Sequence, residues 1–148
     1  MNAYSTDTGS YVKSHLLKAL LGGFAGTLAF TMMGKFIAPL MIGHAMDVAA
    51  ILAPLFNGSH LDGMIAHFAL GTIAFPLSYL VLAARRLPGP AALRGVIFLL
   101  FVYLFAMTVV MPAIGQGLFL DSMPRAMVAL MGHMVFGVIL GSVVGKPE

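Results

Sequence analysis

Long apolar runs alternate with short polar stretches along this chain, and the runs have the length of bilayer spans. A helix rising ~1.5 Å per residue needs about 20 apolar residues to cross a hydrocarbon layer of about 30 Å. Four stretches reach that length, near residues 16–42, 61–84, 95–118 and 124–144, and a polar segment, residues 1–15, precedes them. The pattern predicts an all-α membrane protein, a four-transmembrane-helix bundle occupying residues 16–145. The first run is long enough to tilt, or to kink where Pro39 removes a backbone donor, and Pro112 has the same expected effect in the third. Pro124 suits the first turn of the fourth helix, where a missing N–H costs nothing. Between the first two runs, Met46, Ala49, Ala50 and Ala53 recur at helical spacing, which predicts a short helix along the membrane surface.

Two weak internal matches suggest duplication. "HFALG" (67–71) resembles "HMVFG" (133–137), and "PLMIGH" (39–44) loosely matches "PAIGQ" (112–116). Both halves would run the same way, giving two tandem helical hairpins about a pseudo-twofold along the membrane normal. Small residues form stripes: Gly23, Thr27, Thr31 and Lys35 repeat every four positions, as do His133, Gly137, Gly141 and Gly145, while His67 precedes Gly71 by one turn. Such stripes allow close helix approach in lipid, so Gly23, Thr27, Gly71, Gly137 and Gly141 are expected packing positions.

Composition supports this reading. Hydrophobic residues make up 60% and charged residues 9%, against about 25% charged in soluble domains, so lipid must solvate most of the surface. Lys13, Lys18, Arg85, Arg86, Arg94 and Lys146 fall at one end of the predicted bundle, and only Lys35 and Arg125 lie toward the other. The positive-inside rule then places both termini in the cytoplasm, N-in/C-in, in a multi-pass membrane protein. The polar first 15 residues do not read as a cleavable signal, so the first run is expected to direct insertion itself. The basic residues form no patch, which argues against nucleic acid. The absence of cysteine excludes disulfides and thiolate chemistry.

The candidate chemistry gathers at one depth. Lys35 is the single charge in the run from Gly22 to Ile42. Counted from the nearest basic anchors, Lys35 and Met111 lie roughly 25 Å along their helices, His67 roughly 27 Å and His133 roughly 20 Å. All eleven methionines after the initiator fall in halves or loops remote from the termini. The expected site is a pocket of Lys35, His67 and His133, with Gln116 nearby and the ammonium demanding an anionic or carbonyl partner. The bland alternatives are a lysine that snorkels and histidines that merely bond a neighbouring helix. Three chemistries fit such a layer. A b-type haem could bridge His67 and His133. Copper could sit on His67, His133 and Met111, although a nearby ammonium would repel it. A quinone or an acidic lipid could meet Lys35. No phosphate loop or zinc-protease helix is present, no cofactor is the default, and catalysis is not expected.

At "MGK" (33–35), "HFALGT" (67–72), "MPAIGQGLF" (111–119) and "GHMVFGVILG" (132–141) the sequence resembles a family of small bacterial four-helix membrane proteins of unknown function, over roughly residues 20–145. The resemblance implies an intact inner-membrane domain with Lys35, His67 and His133 as its polar anchors, and it implies no reaction. The function expected is a small binding or accessory subunit, of a respiratory or other redox complex, contacting membrane lipids and either other membrane subunits or copies of itself. Its rival is a haem or copper redox protein. A third reading, a small transporter, lacks any acidic residue in the apolar interior of a span to carry a proton or cation.

Overall fold

The computed structural model describes residues 3–146, with side chains from Asp7 onward. In chain order the main elements are α1 (Asp7–Ile42), α2 (Val48–Leu52), α3 (His60–Ala83), α4 (Ala91–Ala113) and α5 (Met123–Val144). All but α2 are long and apolar enough to cross a membrane, and no strand occurs among the described residues. Both described ends of the chain lie at one end of the bundle, called proximal here; α2 and the 114–122 turn lie at the distal end.

Capping explains where several helices begin. The Asp47 carboxylate accepts the Ala49 and Ala50 N–H groups at the start of α2, and the Ser59 and Ser122 hydroxyls do the same for α3 and α5. Two boundaries differ from the hydropathy reading. Helical backbone begins at Ala3, within the polar segment, because Tyr11 is buried in the proximal core and Asp7 pairs with Arg85. The α4 helix stops at Ala113 and not near 118, because Gly115 and Gly117 take left-handed φ values of 81° and 75°.

Three prolines lie inside helices, and each follows a π-turn by two residues: Met33–Ile37 before Pro39, Leu70–Ala74 before Pro76, and Ala106–Val110 before Pro112. Proline cannot donate to the carbonyl four residues back, and widening the turn absorbs the mismatch. The residue ahead of each proline then reaches back five positions, with Ala38, Phe75 and Met111 donating to Met33, Leu70 and Ala106. The carbonyls of Gly34, Gly71 and Met107 thereby lose their helical donors. That of Gly34 is taken up by the Met46 N–H at 2.8 Å, which ties the 43–47 loop back onto α1.

Glycines set the packing. The α1 and α5 helices form a central pair, with Gly22 against Leu140, Gly26 against Phe136 and Gly132 against Phe30. On another face of α1, Gly23 meets Pro76 and the Gly71 carbonyl of α3, while Gly71 meets the Thr27 hydroxyl. The α4 helix packs on α5 through Gly95, Gly137 and Gly141. A Cβ on Gly95 would lie 1.9 Å from the Gly137 oxygen, and one on Gly141 2.2 Å from that of Ala91. This is backbone-to-backbone contact of the kind small residues permit. The buried side chains fall into two clusters, a proximal one around Tyr79, Leu80, Leu99 and Leu140, and a distal one around Met46, Ile51, Met107 and Leu120.

Candidate functional site

Between the two cores lies a cavity of about 250 Å³. Leu99 and Phe136 of the proximal core and Met107 and Leu120 of the distal core line it, and Leu70 and Phe75 of α3 face it together with Val102 and Val110 of α4. The only polar side chains on its wall are His67 and His133.

Hydrogen bonding settles what each imidazole offers. His133 is 9% exposed, and its Nδ1 lies 2.7 Å from the Ala129 carbonyl oxygen. A carbonyl only accepts, so Nδ1 carries the proton and Nε2 keeps its lone pair. His67 Nε2 lies 3.0 Å from the Thr31 hydroxyl, whose own proton goes to the Thr27 carbonyl at 2.8 Å. Nε2–H therefore donates to Thr31, and Nδ1 of His67 keeps its lone pair. Phe30 lies against both rings, with centroids 5.8 Å from His67 and 5.0 Å from His133. The Tyr103 ring sits 5.4 Å from His133, held by its hydroxyl donating to the Ala126 carbonyl. Each histidine is thus oriented through one nitrogen and leaves the other without a partner among the described residues.

The other expected site residues separate. Met111 lines the cavity with both histidines. Lys35 does not: its side chain is exposed, with Nζ 5.6 Å from the Phe36 ring centroid. The expected inward ammonium is corrected by simple geometry. A four-residue repeat drifts about 40° per step on an α-helix, so three steps carry Lys35 about 120° away from the face of Gly23. Gln116 is also absent from the histidine cavity. The methionines divide as well. Met46, Met107 and Met111 are buried, whereas Met32, Met41, Met123, Met127, Met131 and Met134 are exposed on the outside of the bundle.

Gln116 instead lines a second pocket at the distal end, of about 260 Å³, with His44, Asp47 and Arg125. Met46 and Ile51 line both pockets and form the wall between them. Asp47 is paired with His60 at 2.7 Å. Arg125 donates to the Leu120 carbonyl at 3.4 Å, and its Nε is buried without a partner. The turn that supplies this carbonyl is left-handed through Phe119, Leu120 and Asp121, at φ 49°, 61° and 48°, an unfavourable geometry for residues with side chains. It drives Leu120, 2% exposed, into the cavity. Hydropathy reading had no means of finding this turn, nor the roles of Phe30, Tyr103 and Arg125, which depend on contacts between helices. Pro76 was a readable signal, the same mid-helix proline already noted at Pro39 and Pro112.

Among the described residues no group of three or more histidines and carboxylates is placed to hold a metal. A family model matches residues 14–147, which include both pockets. The chain belongs to DUF6789, a family of unknown function. No curated protein and no solved structure matches it. What a DUF6789 protein can do must therefore be argued from its cavities: an apolar chamber with two neutral acceptor nitrogens, and a polar cup beyond a thin wall.

Proposed function

We propose that this protein is a multi-pass binding protein of the bacterial inner membrane, N-in and C-in, that holds a lipophilic hydroquinone in the histidine cavity. Four helices of spanning length support insertion, and the basic residues at the proximal end support the orientation. The observation that carries the ligand class is the pair of free acceptor nitrogens, His67 Nδ1 and His133 Nε2, in an otherwise apolar chamber. A hydroquinone offers two O–H donors on a flat apolar ring, whereas a quinone offers only carbonyl acceptors, which these tautomers leave unpaired. With Lys35 outside, the cavity holds no charged donor for a quinone oxygen. A small protein of this kind fits beside membrane enzymes that make or consume the reduced carrier, as a binding or accessory subunit.

The test uses protein purified in a neutral detergent and titrated calorimetrically with a long-chain hydroquinone and the quinone bearing the same tail. Two hydrogen bonds made only by the reduced form, at about 1 kcal/mol each, predict that it binds about thirtyfold more tightly. His67→Leu and His133→Leu should each lower that preference about fivefold. Equal affinity for both forms, or binding of neither, would overturn the proposal.

A second reading rests on Met107 and Met111, whose thioethers line the same cavity as the free nitrogens. Two imidazoles already oriented from behind, with soft sulfur nearby, suit Cu(I). Stoichiometric copper in the purified protein, lost in the His133→Leu variant, would favour that reading, and the absorption spectrum of the same preparation reports on haem.

A further inference from the structure

The second pocket is a separate opportunity, because it is polar where the first is apolar. Its cation, Arg125, has no ion pair among the described residues, in which the only salt bridges are His60–Asp47 and Arg85–Asp7. One of its Nη atoms is occupied by the Leu120 carbonyl, while its Nε is buried and unpartnered. Beside it, Gln116 holds its amide nitrogen 3.4 Å from the Ile51 carbonyl, a long contact that leaves an N–H to spare. The remaining groups on the wall are already engaged. His44 Nδ1 donates to the Ala45 carbonyl, and Asp47 accepts two backbone N–H groups and faces His60. The unspent chemistry is therefore a guanidinium fork and an amide donor, while the one carboxylate on the wall, Asp47, is turned to the α2 amides and His60.

We infer that this cup binds a phosphate group, held by Arg125 and Gln116, at the distal face of the protein. A planar fork of N–H donors matches two phosphate oxygens at once. Met46 and Ile51 close the floor, so the group sits above the apolar cavity and not within it. Arg125 lies in the first turn of α5, at the level where lipid headgroups meet a span of this length. The natural source is the headgroup of a bilayer phospholipid. The site does not depend on what the histidine cavity holds.

The experiment uses the full chain in a neutral detergent, titrated in parallel with a short-chain anionic phospholipid and with inorganic phosphate. The phospholipid should bind, and Arg125→Gln should weaken it about tenfold, the loss expected for a hydrogen bond to a charged partner. Gln116→Leu should weaken it by less, and Arg125→Lys, which keeps the charge and loses the fork, should fall between. Binding should weaken as salt rises. His133→Leu should leave phospholipid affinity within about threefold, which separates this site from the cavity. Arg125-dependent binding of inorganic phosphate as tight as that of the lipid would keep the phosphate site and overturn its assignment to a headgroup. If Arg125→Gln, folded by thermal unfolding, binds phospholipid as the parent does, or if neither probe binds, the inference is wrong.

Discussion

At the scale of single residues, the donor–acceptor state of an imidazole is decided by a neighbour. That His67 and His133 line one cavity agrees with the small residues one turn from each. Which nitrogen each would present was not legible in the sequence, because the Ala129 carbonyl and the Thr31 hydroxyl decide it. Lys35 shows the opposite failure, a stripe that faces α3 as far as Thr31 and was followed one turn too far. The Lys35→Met variant should keep hydroquinone affinity within about threefold and stability within about 0.5 kcal/mol, as for other exposed positions. Loss of binding would return the ammonium to the site. Asp47 gives a pH prediction. Partial burial would raise its pKa, but the His60 side chain and the Ala50 and Ala49 N–H groups outweigh this and hold it below the ordinary 3.8. Because the folded value is the lower one, its contribution is present above about pH 3.8 and disappears as the pH falls through the folded value. The protection of the α2 amides, their exchange relative to the intrinsic rate at each pH, should fall over that range in the parent. In Asp47→Asn protection should already be lower at neutral pH and change little.

At the scale of helices, contact depends on where a Cβ is missing. Gly95→Ala would force a methyl group to within 1.9 Å of the Gly137 oxygen, on backbone that cannot swing aside. It should destabilise the protein by about 1–3 kcal/mol, the usual range for overpacking. Gly9→Ala meets nothing within 4 Å and should be neutral or stabilising by up to about 1 kcal/mol. Thermal unfolding of the two variants compares them directly, and equal effects would mean that the α4–α5 seam is looser than described. Helix number was plain in the hydropathy pattern because spanning length depends on residue count alone. The stop at Ala113 was not, because the apolar run resumes at Leu118 after Gly115, Gln116 and Gly117, and it is the positive φ values of those two glycines that end the helix. The π-turns were partly visible through Pro39 and Pro112. At Pro76 the apolar run masked the break, because neighbouring helices can tolerate a proline there.

At the scale of the whole molecule, orientation is the first property to check. Reporter fusions at residues 1, 90 and 148 should all read cytoplasmic, and a periplasmic signal at any of them would reverse the topology argued from the arginines and lysines. The layered interior has a further consequence. Two tightly packed cores with a chamber between them need not melt together: the seams through Gly95 and Gly23 brace one end, while the far end hangs on the Met46–Gly34 bond and a left-handed turn. The protein should therefore behave as two cooperative units of unequal stability, with the end holding α2 opening first. A guest in the chamber touches both units and binds only when both are formed. Calorimetry should show two overlapping transitions without ligand that merge into one when it is bound, so that the guest joins two halves into a single melting body.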